Sequence, residues 1–186
     1  MDSLAAARRG ETSPLSSLLL VVDFQSRLMP AIAGGAEALR NARRLLDAAA
    51  LLGVPVVWTE ENPDGLGSTV PEVAPRPPAR AFRKMFFDAT REPAIRAAIP
   101  TDAEVVVVGC EAHVCVLQTV LGLRASGQPV KVVRDAVASR QPASRDAALA
   151  RMDRHGAEIV TAEMVAFEWL ATADHPHFKD VIGLVK

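Results

Sequence analysis

Short runs suited to strands, separated by stretches of helical spacing, constrain this chain more than any other feature. Residues 18–22, 54–58, 105–108, 130–133 and 158–160 form the runs, and the first reads Leu-Leu-Leu-Val-Val with no alternation. A run apolar at every position is the pattern of a strand covered by helices on both faces. Between the first two runs, Leu39, Ala42, Leu45, Leu46 and Ala49 recur at helical spacing and Gly53 supplies a C-terminal stop. Further helices are expected over 94–99, 114–123, 144–155 and 162–171, the last opened by Thr161 as N-cap. Parallel neighbours need a crossover, and helices in the crossovers cover the sheet. The expected fold class is therefore α/β: a doubly wound, mostly parallel, Rossmann-like sheet of five or six strands with helices on both faces.

A chain of 186 residues suits one domain, expected over 17–186 behind a flexible tail at 1–16. Arg8 and Arg9 in that tail suit a transit peptide, but Asp2 and Glu11 do not, and a frayed terminus is the better reading. Lys and Arg number 21 against 22 Asp and Glu, a net charge of −1, so neither nucleic acid nor an anionic membrane surface is an expected partner. The apolar run at 18–22 stops at Asp23, far short of a membrane span. Two cysteines, Cys110 and Cys115, make no disulfide framework and no C-x-x-C motif, so reduced thiols and a cytoplasmic location are expected.

In open α/β sheets ligands bind beyond the carboxyl ends of the strands, and Asp23 and Cys115 occupy two such ends. A cysteine at a strand-to-helix turn meets the positive end of the helix dipole and unpaired N–H groups, which favour a thiolate or an oxyanion. Taken alone, Cys115 is either such a nucleophile or a small buried apolar side chain, and Asp23 is either a catalytic acid/base or a turn cap. Cys110 reads as packing. Zinc on Cys110, His113 and Cys115 lacks a fourth ligand nearby, and His155, His175 and His177 read as surface residues. From 62 to 80 the chain carries Pro63, Gly65, Gly67, Pro71, Pro75, Pro77 and Pro78, an irregular segment of functional length that ends near Lys84. Lys84, between Phe82 and Met85-Phe86-Phe87, either meets an anion or snorkels outward.

Residues 21–25 (Val-Val-Asp-Phe-Gln), 82–84 (Phe-Arg-Lys) and 109–119 (Gly-Cys-Glu-Ala-His-Val-Cys-Val-Leu-Gln-Thr) resemble, in order and spacing, the three motifs of the isochorismatase-like cysteine hydrolases. The resemblance continues at 135–140 (Asp-Ala-Val-Ala-Ser-Arg) and 163–168 (Glu-Met-Val-Ala-Phe-Glu). It implies Cys115 as nucleophile, Asp23 as acid/base and Lys84 as the cation beside it. It also implies a non-proline cis peptide just after Cys110, with the backbone N–H groups of Glu111 and Cys115 facing an oxyanion. The expected activity is hydrolysis of a small amide-type C–N substrate through a thioester. Three alternatives stand beside it: vinyl-ether cleavage with Asp23 as acid, a non-catalytic binding protein, and a thiol redox sensor pairing Cys115 with Cys110. Related nicotinamidases carry an Asp/His metal site after the second strand, whereas residues 59–63 here contain no histidine, so neither metal nor cofactor is expected. Phe24, Trp58 and Phe87 are candidate substrate contacts. A homo-oligomer is expected from the family, with Phe167, Trp169 and Leu170 of the last helix either serving that contact or closing the sheet.

Overall fold

A computed structural model describes residues 13–185. Six parallel strands form one sheet: β1 (Ser17–Val22), β2 (Val56–Glu61), β3 (Phe82–Lys84), β4 (Glu104–Cys110), β5 (Val130–Ala138) and β6 (Glu158–Val160), in the order β3-β2-β1-β4-β5-β6. Crossovers supply α1 (Gly35–Leu52), α2 (Pro63–Leu66), α3 (Pro93–Ala98), α4 (Leu117–Ala125) and α5 (Pro142–Arg154), and α6 (Ala162–Leu170) and α7 (Phe178–Val185) follow β6. The doubly wound α/β expectation holds, with six strands.

The unbroken apolar run of β1 has a direct cause. Leu19 and Val21 pack into a core layer under α1, α6 and α7, while Leu18, Leu20 and Val22 pack into a second layer under α3, α4 and α5. A strand with a core on each side needs apolar residues at every position. At α1 the spacing argument holds for Ala42, Leu45 and Ala49, which are buried together with Ala38, while Leu39 and Leu46 are only partly buried beside them, and Gly53 closes the helix at φ 73°.

Differences cluster where strands carry polar residues. β2 runs to Glu61 rather than stopping at residue 58, because Thr59, Glu60 and Glu61 pair with Phe82, Arg83 and Lys84 of β3, which the sequence pattern does not reveal as a strand. One short helix, α2, lies inside the segment read as irregular, and α7 lies beyond the last expected helix. β5 extends to Ala138 through the exposed Arg134 and the half-buried Asp135, its register against β4 shifting between Val107 and Gly109. Within β5 the buried Lys131 ammonium meets Glu168 at 2.7 Å and Glu158 at 3.4 Å, so a position inside an apolar-looking run holds an ion cluster. Trp169 and Leu170 of α6 close the core, the Trp169 indole donating to Ser17 Oγ at 3.2 Å, while Phe167 stays exposed. The tail expected at 1–16 lies outside the described residues as far as residue 12. No helix among the described residues is long and apolar enough to cross a membrane.

Gly109 brings the ends of β1 and β4 together. Its φ is +149°, and an added Cβ would lie 2.2 Å from the Val22 carbonyl oxygen, a backbone atom that cannot move aside cheaply. Gly109→Ala is therefore expected to destabilise the protein by about 3 kcal/mol or more, read as a lower midpoint in urea unfolding.

Candidate active site

β1 and β4 are neighbours whose crossovers leave in opposite directions, which opens a crevice beyond their carboxyl ends. Four side chains converge there. Asp23 follows β1 at φ 52°, a left-handed conformation that aspartate tolerates better than most residues. Glu61 ends β2, and its register partner Lys84 ends β3. Cys115 follows β4 inside a π-helical turn, Ala112–Val116, which leads directly into α4. The helix expected from residue 114 thus begins two residues earlier and with a wider first turn, Val116 N–H reaching back to the Glu111 carbonyl at 3.2 Å. The peptide between Cys110 and Glu111 is cis, as the resemblance implied.

The Lys84 ammonium is buried between two carboxylates, 2.7 Å from Asp23 Oδ2 and 2.8 Å from Glu61 Oε2. Asp23 Oδ1 also accepts a hydrogen bond from the Thr59 hydroxyl at 2.7 Å. Gln25, from the turn that carries Asp23, clamps the Glu61 backbone by accepting from its N–H and donating to its carbonyl, each at 2.9 Å. Oxygen atoms of Asp23 and Glu61 and the Cys115 sulfur all lie within 4.8 Å of one another. Burial acts to lower the Lys84 pKa, but the charges and hydrogen bonds of Asp23 and Glu61, with Cys115, outweigh it and raise it, so Lys84 is an ammonium. Burial pushes the Cys115 thiol up, Asp23 and Glu61 push it further, and Lys84 pulls against them without prevailing. Burial and the two carboxylates thus favour the protonated form of the Cys115 thiol.

A cleft of about 350 Å³ opens over this cluster, lined by the apolar Phe87, Leu28 and Leu66 and by the charged Glu111 and Arg140. Phe87 lies where a substrate contact was expected. Phe24 and Trp58 do not: Phe24 is fully buried in the layer under α1, and Trp58 borders a different hollow, its indole donating to the Val73 carbonyl at 2.9 Å. Side-chain direction decides this, since Phe24 sits beside Asp23 in sequence but turns the opposite way. His113 Nδ1 pairs with Ser139 Oγ at 3.0 Å beside the turn. Cys110 packs in the layer under α1 while Cys115 packs in the layer under α4, so the two thiols belong to opposite faces of the sheet. Sequence reasoning missed Glu61, whose only signal was its place in a longer β2, and assigned no role to Arg140, which lies inside a quoted motif. Asp23, Glu61 and Cys115 offer a possible metal ligand set. The position between the two carboxylates is already filled by the Lys84 ammonium, which opposes a second cation.

The profile of the isochorismatase domain matches residues 17–164. The chain belongs to the isochorismatase family. Isochorismatase domain-containing protein 2A of Mus musculus is 37% identical over 188 residues, covering 98% of this chain and 90% of that protein. Isochorismatase domain-containing protein 1 of Danio rerio is 39% identical over 180 residues, covering 95% of this chain, which spans 63% of that relative's length. Among solved structures, the MAR1 ribonuclease of Caenorhabditis elegans superposes with a TM-score of 0.89 at 36% identity, covering 95% of this chain and 92% of that one. The YcaC gene product of Escherichia coli, described as an octameric hydrolase of unknown specificity, superposes with a TM-score of 0.85 at 22% identity, covering 97% of each chain, and shows the shared fold. This isochorismatase-family chain therefore shares the α/β architecture of those solved structures.

The buried thiols also set how stability changes with pH. Burial raises Cys110, and burial with carboxylate charge raises Cys115, above the ordinary thiol value of 9.0. The unfolded chain releases these protons near pH 9 while the folded protein keeps them, so their contribution is complete below that pH and is lost as pH rises above it. Lys84 and Lys131, also raised, act in the same direction from a higher pH. Urea unfolding should show a fall in stability between pH 8 and pH 10 that is smaller in Cys110→Ala, by about 1 kcal/mol. An equal fall in both proteins would contradict the assignment.

Proposed function

We propose that this chain is a cysteine hydrolase of small amide-type C–N substrates, with Cys115 as nucleophile, Asp23 as acid/base and Lys84 as the charge beside them. The observation that carries the reading is the convergence of a buried thiol and carboxylate with an ammonium 2.7 Å from that carboxylate, under an open cleft. Burial and the neighbouring carboxylates favour the protonated thiol, so attack and deprotonation go together: Asp23 takes the Sγ proton as sulfur bonds to the carbonyl carbon. Backbone N–H groups of Glu111 and Cys115 receive the oxyanion. Asp23 then returns its proton to the leaving nitrogen, the C–N bond breaks, and a thioester remains. Water, deprotonated by Asp23, attacks the thioester; the S–C bond breaks, Asp23 returns the proton to the Cys115 sulfur, and a carboxylic acid leaves. Lys84 keeps its charge throughout and stabilises Asp23 as its protonation changes.

Rapid quenching with a reactive small amide, followed by intact-mass measurement, should show wild-type protein carrying the acyl group on Cys115. Absence of that adduct during turnover would remove the covalent step. A ribonuclease activity, suggested by the description of the Caenorhabditis elegans neighbour, is less well supported. Asp23, Glu61 and Glu111 around the cleft outnumber Lys84 and Arg140, an arrangement that repels a phosphodiester. The same reading includes a cytoplasmic location, in keeping with two free thiols, and assembly with copies of itself, in keeping with the octameric Escherichia coli neighbour. Sedimentation of the purified protein tests the assembly.

A further inference from the structure

We infer that Glu61 selects the leaving group: its free carboxylate oxygen accepts a hydrogen bond from an N–H of the scissile amide, admitting primary carboxamides and turning away the corresponding esters. This rests on Cys115 being the nucleophile of the proposed function and adds a residue that reads the substrate.

Three observations lead to it. First, Glu61 is held rigidly, with Oε2 on Lys84 Nζ at 2.8 Å and its backbone clamped on both sides by the Gln25 amide. Second, Oε1 has no donor among the described residues, although the side chain is only 8% exposed and the residue lines the cleft. A nearly buried charged acceptor calls for a donor, and here the donor must come from the cleft. Third, oxygen atoms of Glu61 and Asp23 and the Cys115 sulfur lie within 4.8 Å of one another. A leaving nitrogen close enough to Asp23 to receive its proton is therefore also near Glu61.

A primary amide, when bound, supplies Oε1 with an N–H donor. An ester meets the same oxygen with lone pairs only, so binding it leaves a carboxylate oxygen without a donor. Glu61 neither gains nor loses a proton in the reaction. The S–C bond forms, the C–N bond breaks, the proton held by Asp23 goes to nitrogen, and ammonia leaves.

Glu61→Gln reverses the polarity at constant shape. Lys84 has only donors, so it will hold the glutamine oxygen and leave the amide NH2 facing the cleft. The test needs no natural substrate. 2-Chloroacetamide, its N,N-dimethyl derivative and methyl chloroacetate each alkylate a thiol with loss of chloride. Their rates at Cys115, followed by intact mass with peptide mapping, are divided by their rates with glutathione. Wild type should favour the primary amide over the other two by about ten- to a hundredfold, and Glu61→Gln should lose or invert that preference. Equal normalised rates in wild type overturn the inference without any variant, as does failure of the amide probe to label Cys115 or an unchanged ratio in Glu61→Gln. Collapse of the hydrolase reading shows separately, as turnover by Cys115→Ala, and does not depend on the probe ratios.

Discussion

Cys115→Ala should abolish the acyl adduct and lower amide turnover by at least about a thousandfold while leaving the protein folded. The side chain lost is small and lies at the floor of a cleft, so its packing contributes only about 1 kcal/mol. Asp23→Asn should cost about as much activity, for a different reason. Asp23 accepts from Thr59 at Oδ1 and is paired with Lys84 at Oδ2, so an asparagine must turn its NH2 toward one of those donors and can take no proton from sulfur. Combining the two substitutions should lower turnover little further, because residues acting in one step do not contribute additively. The measurement is kcat/KM across a panel of small amides, ureides and vinyl ethers. Full turnover of a vinyl ether by Cys115→Ala together with its loss in Asp23→Asn would move the chemistry to Asp23 as a proton donor without a thioester.

The second large effect is on stability. Lys84→Met should destabilise the protein by about 3–5 kcal/mol, because it leaves the Asp23 and Glu61 carboxylates buried against each other without a cation. For a chain of this size that corresponds to a fall in Tm of about 6–20 °C. Neutralising one carboxylate in the same protein, as in Lys84→Met with Asp23→Asn, should recover part of the loss even though the number of substitutions rises. That recovery separates electrostatics from packing, since methionine fills nearly the volume of the lysine stem. A Lys84→Met protein within about 1 kcal/mol of wild type would mean that the ion cluster contributes little.

Particular elements show how much could be read from the sequence. β1 and α1 were legible because each repeats one demand along its length, apolar at every position for a strand between two cores and apolar on one stripe for a surface helix. β3 was not, since three residues, Phe82, Arg83 and Lys84, have no periodicity to detect and exist as a strand only through pairing with β2. The same pairing lengthened β2 and delivered Glu61. Of the three residues proposed as catalytic, Asp23 and Cys115 were visible at strand ends, and the resemblance gave Lys84 its place beside them. Phe24 and Trp58 were misplaced because nearness in sequence says nothing about which side of the sheet a side chain faces after the strand ends.

Hydrophobic period and turn chemistry are local properties, so the amino-acid order by itself determined the alternation of strands and helices, the parallel sheet it requires, and the strand ends where Asp23 and Cys115 stand. Only the tertiary structure decided that Lys84 lies between two carboxylates rather than one, that burial and those carboxylates push the Cys115 thiol toward its protonated form, and which aromatic residue reaches the cleft. Those outcomes depend on burial and on distances of a few ångströms between residues far apart in the chain, and electrostatic energies at such distances change with surroundings that no local pattern records.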